Sequence, residues 1–154
     1  MKEIAIRLAR TADLPDILSM IRALSAFHGD EASTTLELLQ DRMFGPRARA
    51  TAFIAERQGR MAGYAAMTHL VGLHEAAPRG DIQHLYVSEA CRGTGIGRAL
   101  ITAVAKWAAA QGVATLTIGT DPANTSAQAA YRAMGLDEIT NPGPRFRVPP
   151  GWVG

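Results

Sequence analysis

The period of the hydrophobic positions shifts along the chain between two and three or four, and each shift marks an element. Residues 4–8 alternate apolar and polar as a half-buried strand does. Leu14, Ile17, Leu18, Ile21 and Leu24 then recur at helical spacing, which predicts a helix running to about Phe27. Thr11 reads as its N-cap, with Asp13 in the first turn and Pro15 early enough to be tolerated. Leu36, Leu39 and Met43 share a face of a second helix over 35–44, stopped by Gly45-Pro46. Two apolar runs, 51–57 and 60–70, are joined by Gln58-Gly59 and predict an antiparallel hairpin. A loop over 71–80 leads into a strand at 81–87. Ile96, Leu100, Ala103, Val104 and Trp107 mark one face of a helix ending at Gly112. A short strand at 114–118 and a helix at 124–134, closed by Gly135, follow. Residues 136–139 and 145–148 predict a last hairpin across Asn141-Pro142-Gly143-Pro144. The order is a mixed α/β layout.

Composition narrows the function classes. The 154 residues predict a single domain over 1–154 with a real core, and 47% hydrophobic against 19% charged residues suits a soluble protein. No apolar run approaches 18 residues, so no membrane partner is expected. The first residues alternate like a strand and lack a signal peptide's apolar stretch, which predicts a cytoplasmic location. Cys91 is the one cysteine, so no intrachain disulfide forms. Net charge is only +2 with scattered arginines, which argues against nucleic acid. His28, His69, His74 and His84 have no metal-site spacing, and no metal is expected.

The least chance-like stretch is Arg92-Gly93-Thr94-Gly95-Ile96-Gly97, between a strand and a helix. Backbone N–H groups at a helix start attract anions, and glycines let a phosphate come close. A P-loop would need Gly-Lys-Ser/Thr where this chain has Gly97-Arg98-Ala99. A dinucleotide fingerprint starting at Gly93 would need glycine in place of Arg98, and normally opens its domain. A plain strand-to-helix turn with no ligand is the bland alternative.

The same loop resembles the R/Q-x-x-G-x-G/A signature of the GNAT superfamily of acyl-CoA-dependent N-acetyltransferases. The resemblance extends from Leu85-Tyr86-Val87 before the loop to "TDPANTSAQAAYRAMGL" after it, where Asn124, Tyr131 and Gly135 match the family's N…Y…G pattern. In the first half, "DRMFGPRARATAFIAERQGRMAGYAAM" is similar to the diamine and thialysine acetyltransferase-like subgroup. The resemblance covers about 130 residues. It implies a mixed central sheet of six to seven strands, flanked by about four helices, with splayed fourth and fifth strands. It also implies acetyl-CoA as co-substrate. Leu85, Tyr86 and Val87 would line pantetheine, with the backbone of Leu85 and Val87 pairing to it. Arg92, Gly93, Thr94, Gly95, Ile96, Gly97 and Arg98 would hold the pyrophosphate, and Asn124 would contact pantetheine. Tyr131 would protonate the departing thiolate. The subgroup's habit and the apolar C-terminal stretch with Trp152 predict a homodimer.

The general base is where the chain departs from the subgroup. A glutamate on the fourth strand is matched by Gln83, which cannot act as a base. Asp81 lies two positions earlier and, on an unbroken strand, on the same face as Gln83, while His84 should face the other way unless a bulge turns it. Asp81, His84 and no dedicated base remain open. Cys91 reads as a small buried thiol rather than a nucleophile. The expected function is acetyl transfer from acetyl-CoA to a small primary amine by direct attack. A protein or peptide acceptor, and a non-catalytic acyl-CoA-binding module, are the rivals.

Overall fold

The computed structural model describes residues 3–153. The chain forms two compact units, the first running to Asp121 and the second starting at Pro122. The first unit carries a five-stranded sheet in the order β1-β2-β3-β4-β5. Its strands are β1 (Ile4–Leu8), β2 (Ala50–Arg57), β3 (Arg60–Leu70), β4 (Arg79–Val87) and β5 (Thr115–Ile118). The first four are antiparallel neighbours, and β5 joins β4 in parallel. The helices are α1 (Leu14–Phe27), α2 (Leu36–Phe44) and α3 (Ile96–Ala110), with α4 (Thr125–Ala133) in the second unit. The architecture is the α/β fold of the sequence resemblance, with a mixed sheet and four helices.

One expectation is corrected. The described residues hold five strands, not six to seven, because 136–139 and 145–148 form none. The cause is local. Pro142, Pro144, Pro149 and Pro150, which flank these segments, have no N–H to give a ladder.

The start of α1 also differs from the N-cap read at Thr11. A short 3-10 turn, Thr11–Asp13, comes first, and the Asp13 carboxylate accepts the backbone N–H of Arg10 at 2.7 Å. Arg7 on β1 grips the same carboxylate through both terminal nitrogens, at 2.7 and 2.9 Å, and reaches Glu56 on β2 at 2.6 Å. This charged joint ties the sheet edge to the first helix. The Arg7 hydrogen bonds hold the Asp13 carboxyl below its ordinary value. A lowered folded pKa gives stability that is complete above the unfolded value of about 3.9 and fades as pH falls through the folded one. Asp13→Ala should cost about 2–3 kcal/mol by denaturant titration at pH 7, less than for a fully buried pair because Arg7 keeps Glu56 and partial access to water. The mutant's deficit should shrink below pH 4.

Helix α2 begins at Leu36, one residue later than the sequence predicts, with Thr35 as N-cap and its hydroxyl accepting the Leu38 N–H at 3.3 Å. The β2–β3 turn is the two-residue kind, with φ of 55° at Gln58 and 70° at Gly59, the handedness that matches strand twist. The sheet separates two apolar layers. Leu14, Ile17, Leu18, Ile21 and Leu39 from α1 and α2 pack on Ala52, Ile54, Tyr64 and Ala66. On the α3 side, Ile96, Leu100 and Val104 are buried, and Phe53 meets Trp107 edge-on with ring centres 6.2 Å apart.

Candidate active site

The site starts from a mismatch in strand length. β5 pairs with β4 only from Arg79–Thr115 to Ile82–Ile118. From Gln83 to Val87, β4 keeps β3 on one side and has no strand on the other among the described residues. Backbone groups on such an edge are an open template for an added strand. Leu85 and Val87, expected to pair with pantetheine, lie on this edge. One of those groups has a partner already: the Val87 carbonyl accepts the Arg92 Nε–H at 3.1 Å. The Tyr86 side chain packs against the α1–α2 core cluster.

The glycine loop follows directly. Gly93 and Gly95 take φ of 72° and 86°, a region that disfavours any other residue, and Gly95 is the N-cap of α3. A Cβ built on Gly93, Gly95 or Gly97 would meet nothing within 4 Å, so the cradle is open where side chains would fill it. The first helical bond runs from the Ala99 N–H to the Gly95 carbonyl, so the Ile96 and Gly97 amides have no carbonyl within the helix. The Thr94 hydroxyl fixes the turn by donating to the Cys91 carbonyl at 2.6 Å. The Arg92 guanidinium stands 5.6 Å from the centre of the Phe27 ring. An open strand edge running into N–H groups and positive charge fits the pantetheine and diphosphate of a CoA thioester. Cys91 is partly exposed rather than buried, and bonds to Ser88 and Arg57 lower its thiol pKa.

On the α1–α2 face lies a cavity of about 380 Å³. Its walls include Thr34, Arg42, Arg49, Gln83 and His84. The Thr34 Oγ1 is buried without a hydrogen-bond partner among the described residues. His84 reaches this face through a bulge. Ala66 pairs with His84 and Met67 with Ile82, which leaves Gln83 as the extra residue. Directly paired residues share a face, so Asp81 (opposite Thr68) and His84 (opposite Ala66) both face α1 and α2. The unbroken strand read from sequence would have separated them. The Asp81 Oδ1 accepts the Thr117 hydroxyl at 2.7 Å. The His84 Nδ1 lies 2.8 Å from the Tyr64 hydroxyl, and burial pushes the His84 pKa down. His69 also lines the cavity, but its ring is engaged by the Thr51 hydroxyl at 3.0 Å and the edge of Trp107.

The second unit carries the other two candidates. The Asn124 Oδ1 accepts the Ala127 N–H at 3.1 Å and so caps α4. Tyr131 lies on α4, and burial raises its pKa. Gly135, at φ of 81°, ends the turn after the helix.

The model of the acetyltransferase (GNAT) family matches residues 17–136. The chain belongs to that family. Among curated GNAT relatives, mycothiol acetyltransferase of Thermobispora bispora is 33% identical over 124 residues, 75% of this chain and 40% of that protein. The Streptomyces griseus mycothiol acetyltransferase is 30% identical over 77% of this chain and 38% of its own length. The chain thus spans less than half the length of these relatives. An aminoglycoside N(6')-acetyltransferase type 1 of Stenotrophomonas maltophilia is 36% identical over 49% of this chain and 48% of that protein. Among solved structures, an aminoglycoside N-acetyltransferase, AAC(6')-Iy, in complex with CoA superposes with a TM-score of 0.77 at 21% identity, over 96% of each chain. That likeness shows the GNAT fold. No described helix is long and apolar enough to cross a membrane, and no three described His, Cys, Asp or Glu residues group as a metal site.

Sequence reasoning missed Tyr64 and the cavity residues Thr34, Arg42 and Arg49, and it named a bulge as what would turn His84 without placing it at Gln83. The signal for Tyr64 was a hydroxyl-bearing side chain in the apolar stretch 61–67 of β3.

Proposed function

We propose that the protein transfers an acetyl group from acetyl-CoA to the primary amine of a small molecule by direct attack. The observation that carries this reading is the open β4 edge at 83–87, which runs into the glycine loop, with a cavity on the α1–α2 face of the same sheet. The cavity's volume is in the range of small-molecule sites. The names of the mycothiol and aminoglycoside acetyltransferase relatives point to small acceptors as well.

Acetyl-CoA supplies an activated acyl thioester when bound. The Leu85 backbone on the open edge would pair with pantetheine, and the Arg92–Gly97 loop, with Arg98, would hold the diphosphate through its amides and charge. Asn124 would add a pantetheine contact. Tyr131 would give its proton to the departing thiolate: a phenol near 10, raised further by burial, stays protonated until that moment. The acceptor must lose a proton, which costs about 4.6 kcal/mol at pH 7 for an amine of pKa about 10.4. The bulge puts Asp81 and His84 on one face, which makes each a candidate to receive it, with water as the route if neither does.

Thiol release from acetyl-CoA, measured against amines, amino sugars, amino acids and peptides, tests the reading. Release with a small amine is expected. Release with peptides alone would establish the peptide acceptor instead, and CoA binding with no release on any amine would mark a non-catalytic module. We further propose a cytoplasmic homodimer. Phe146, Val148, Trp152 and Val153 are apolar and exposed in the second unit, Trp152 at 65%. Light scattering at micromolar concentration should give a dimer mass, and a monomer mass would refute it.

A further inference from the structure

Tyr64 is among the most deeply buried side chains of the protein, with no exposed surface. Its hydroxyl has one hydrogen-bond partner among the described residues, the His84 Nδ1 at 2.8 Å. The two residues are diagonal neighbours on β3 and β4: Tyr64 sits opposite Tyr86, and His84 opposite Ala66. Their rings meet edge-on at 6.1 Å, so the contact is held by packing on both sides. A buried phenol with a single partner must use its O–H on that partner. If the hydroxyl accepted instead, its own proton would be left in the core with nothing to bond.

We infer that Tyr64 locks His84 in the tautomer that carries its proton on Nε2, so that His84 offers the acceptor cavity a hydrogen-bond donor and not a base. Nδ1 is occupied by the Tyr64 proton, and Nε2 is the nitrogen left for the cavity that His84 lines. Burial favours the same arrangement, holding the Tyr64 phenol protonated and His84 neutral. Taking a proton from the incoming amine would give His84 hydrogens on both nitrogens and take from the Tyr64 O–H the one hydrogen-bond partner it has among the described residues. Tyr64 is thus a positioning residue, acting through His84. The group His84 meets is an oxygen of the acceptor molecule: a hydroxyl, carbonyl or carboxylate beside the amine. Asp81 shares this face of β4, and Asp30 and Glu31 line the cavity, so these carboxylates or water are left to relay the amine's proton.

The assignment of a role in turnover rests on the acetyltransferase reading; the tautomer does not. Nitrogen-15 NMR of the imidazole in the whole protein, without substrate, reads it directly. The expected spectrum has His84 protonated at Nε2 alone, and Tyr64→Phe, which keeps the ring and its packing, should introduce the Nδ1–H form. A wild-type His84 protonated at Nδ1, or a Tyr64→Phe spectrum identical to wild type, overturns the lock. If Tyr64→Phe does not fold, the wild-type spectrum alone decides. On an amine that proves to be an acceptor, His84→Gln keeps an N–H donor without basicity and should retain at least about tenfold more kcat/KM than His84→Ala, the difference lying in KM. Equal losses of kcat in both variants, on the 10²–10⁴-fold scale of a lost acid–base group, would make His84 the base and overturn the proposal. Should no amine release thiol, the acetyltransferase reading fails while the tautomer measurement still stands.

Discussion

Replacing Tyr131 with phenylalanine should slow turnover by about 10²–10⁴-fold, the usual worth of a general acid, and leave acetyl-CoA affinity within about twofold. The proposed phenol acts only as the thiolate departs, so its contribution belongs to the transition state and is absent from the ground-state complex. Phenylalanine keeps the ring, and with it whatever packing holds Tyr131 half-buried on α4, so a core role and a chemical role separate cleanly. With chemistry rate-limiting, the loss falls on kcat. Single-turnover thiol release, paired with calorimetry of CoA binding, makes the measurement. Turnover within about twofold of wild type would show a merely packed tyrosine. So would a stability loss that accounts for the missing activity.

Gly97→Glu should weaken acetyl-CoA binding at least tenfold, about 1.4 kcal/mol, while leaving thermal stability unchanged or slightly raised. The two effects have opposite signs for one physical reason. A carboxylate in the first turn of α3 is favoured by the helix dipole, yet it occupies the space and charge that a diphosphate would take. Gly97 is a cleaner probe than Gly95. Gly95 holds φ at 86°, so any side chain there strains the backbone, whereas Gly97 is an ordinary helical residue whose added Cβ meets nothing within 4 Å. Gly97→Ala serves as the control and should bind CoA within a few-fold of wild type. Unchanged affinity in the glutamate variant, with the fold intact by circular dichroism, would place the diphosphate elsewhere.

How much of this was legible before the fold was known varies with the range of the interactions involved. The helices α1, α2 and α3, the β2–β3 hairpin and the glycine loop rest on neighbours a few residues apart. Period and turn residues report those contacts directly: the helix expected over 35–44 forms as Leu36–Phe44, and Gln58-Gly59 does make the tight turn. The absent last hairpin shows the limit even at short range. An Asn-Pro-Gly-Pro stretch reads as a turn, but the prolines that make it turn-like also deny the flanking residues a ladder. The family, too, was readable, because a loop that bonds a diphosphate through its own backbone must carry glycine at fixed positions.

The relation between Asp81, Gln83 and His84 was not readable, and it governs the proposed chemistry. On an unbroken strand, alternation puts Asp81 with Gln83 and turns His84 away. The register of β4 against β3 inserts Gln83 as a bulge, and every side chain beyond it changes face, so His84 joins Asp81 on the α1–α2 side. A bulge is settled by which strands pair and where, across chain separations that no local pattern records. The same holds for Tyr64 and His84, twenty residues apart in sequence and 2.8 Å apart in space. Sequence by itself therefore determined most of the elements, the glycine loop between strand and helix, and the family, all of which follow from short-range geometry. Only the tertiary structure decided which β4 side chains share the α1–α2 face and which nitrogen of His84 meets the Tyr64 hydroxyl, since both depend on cross-strand register and on burial.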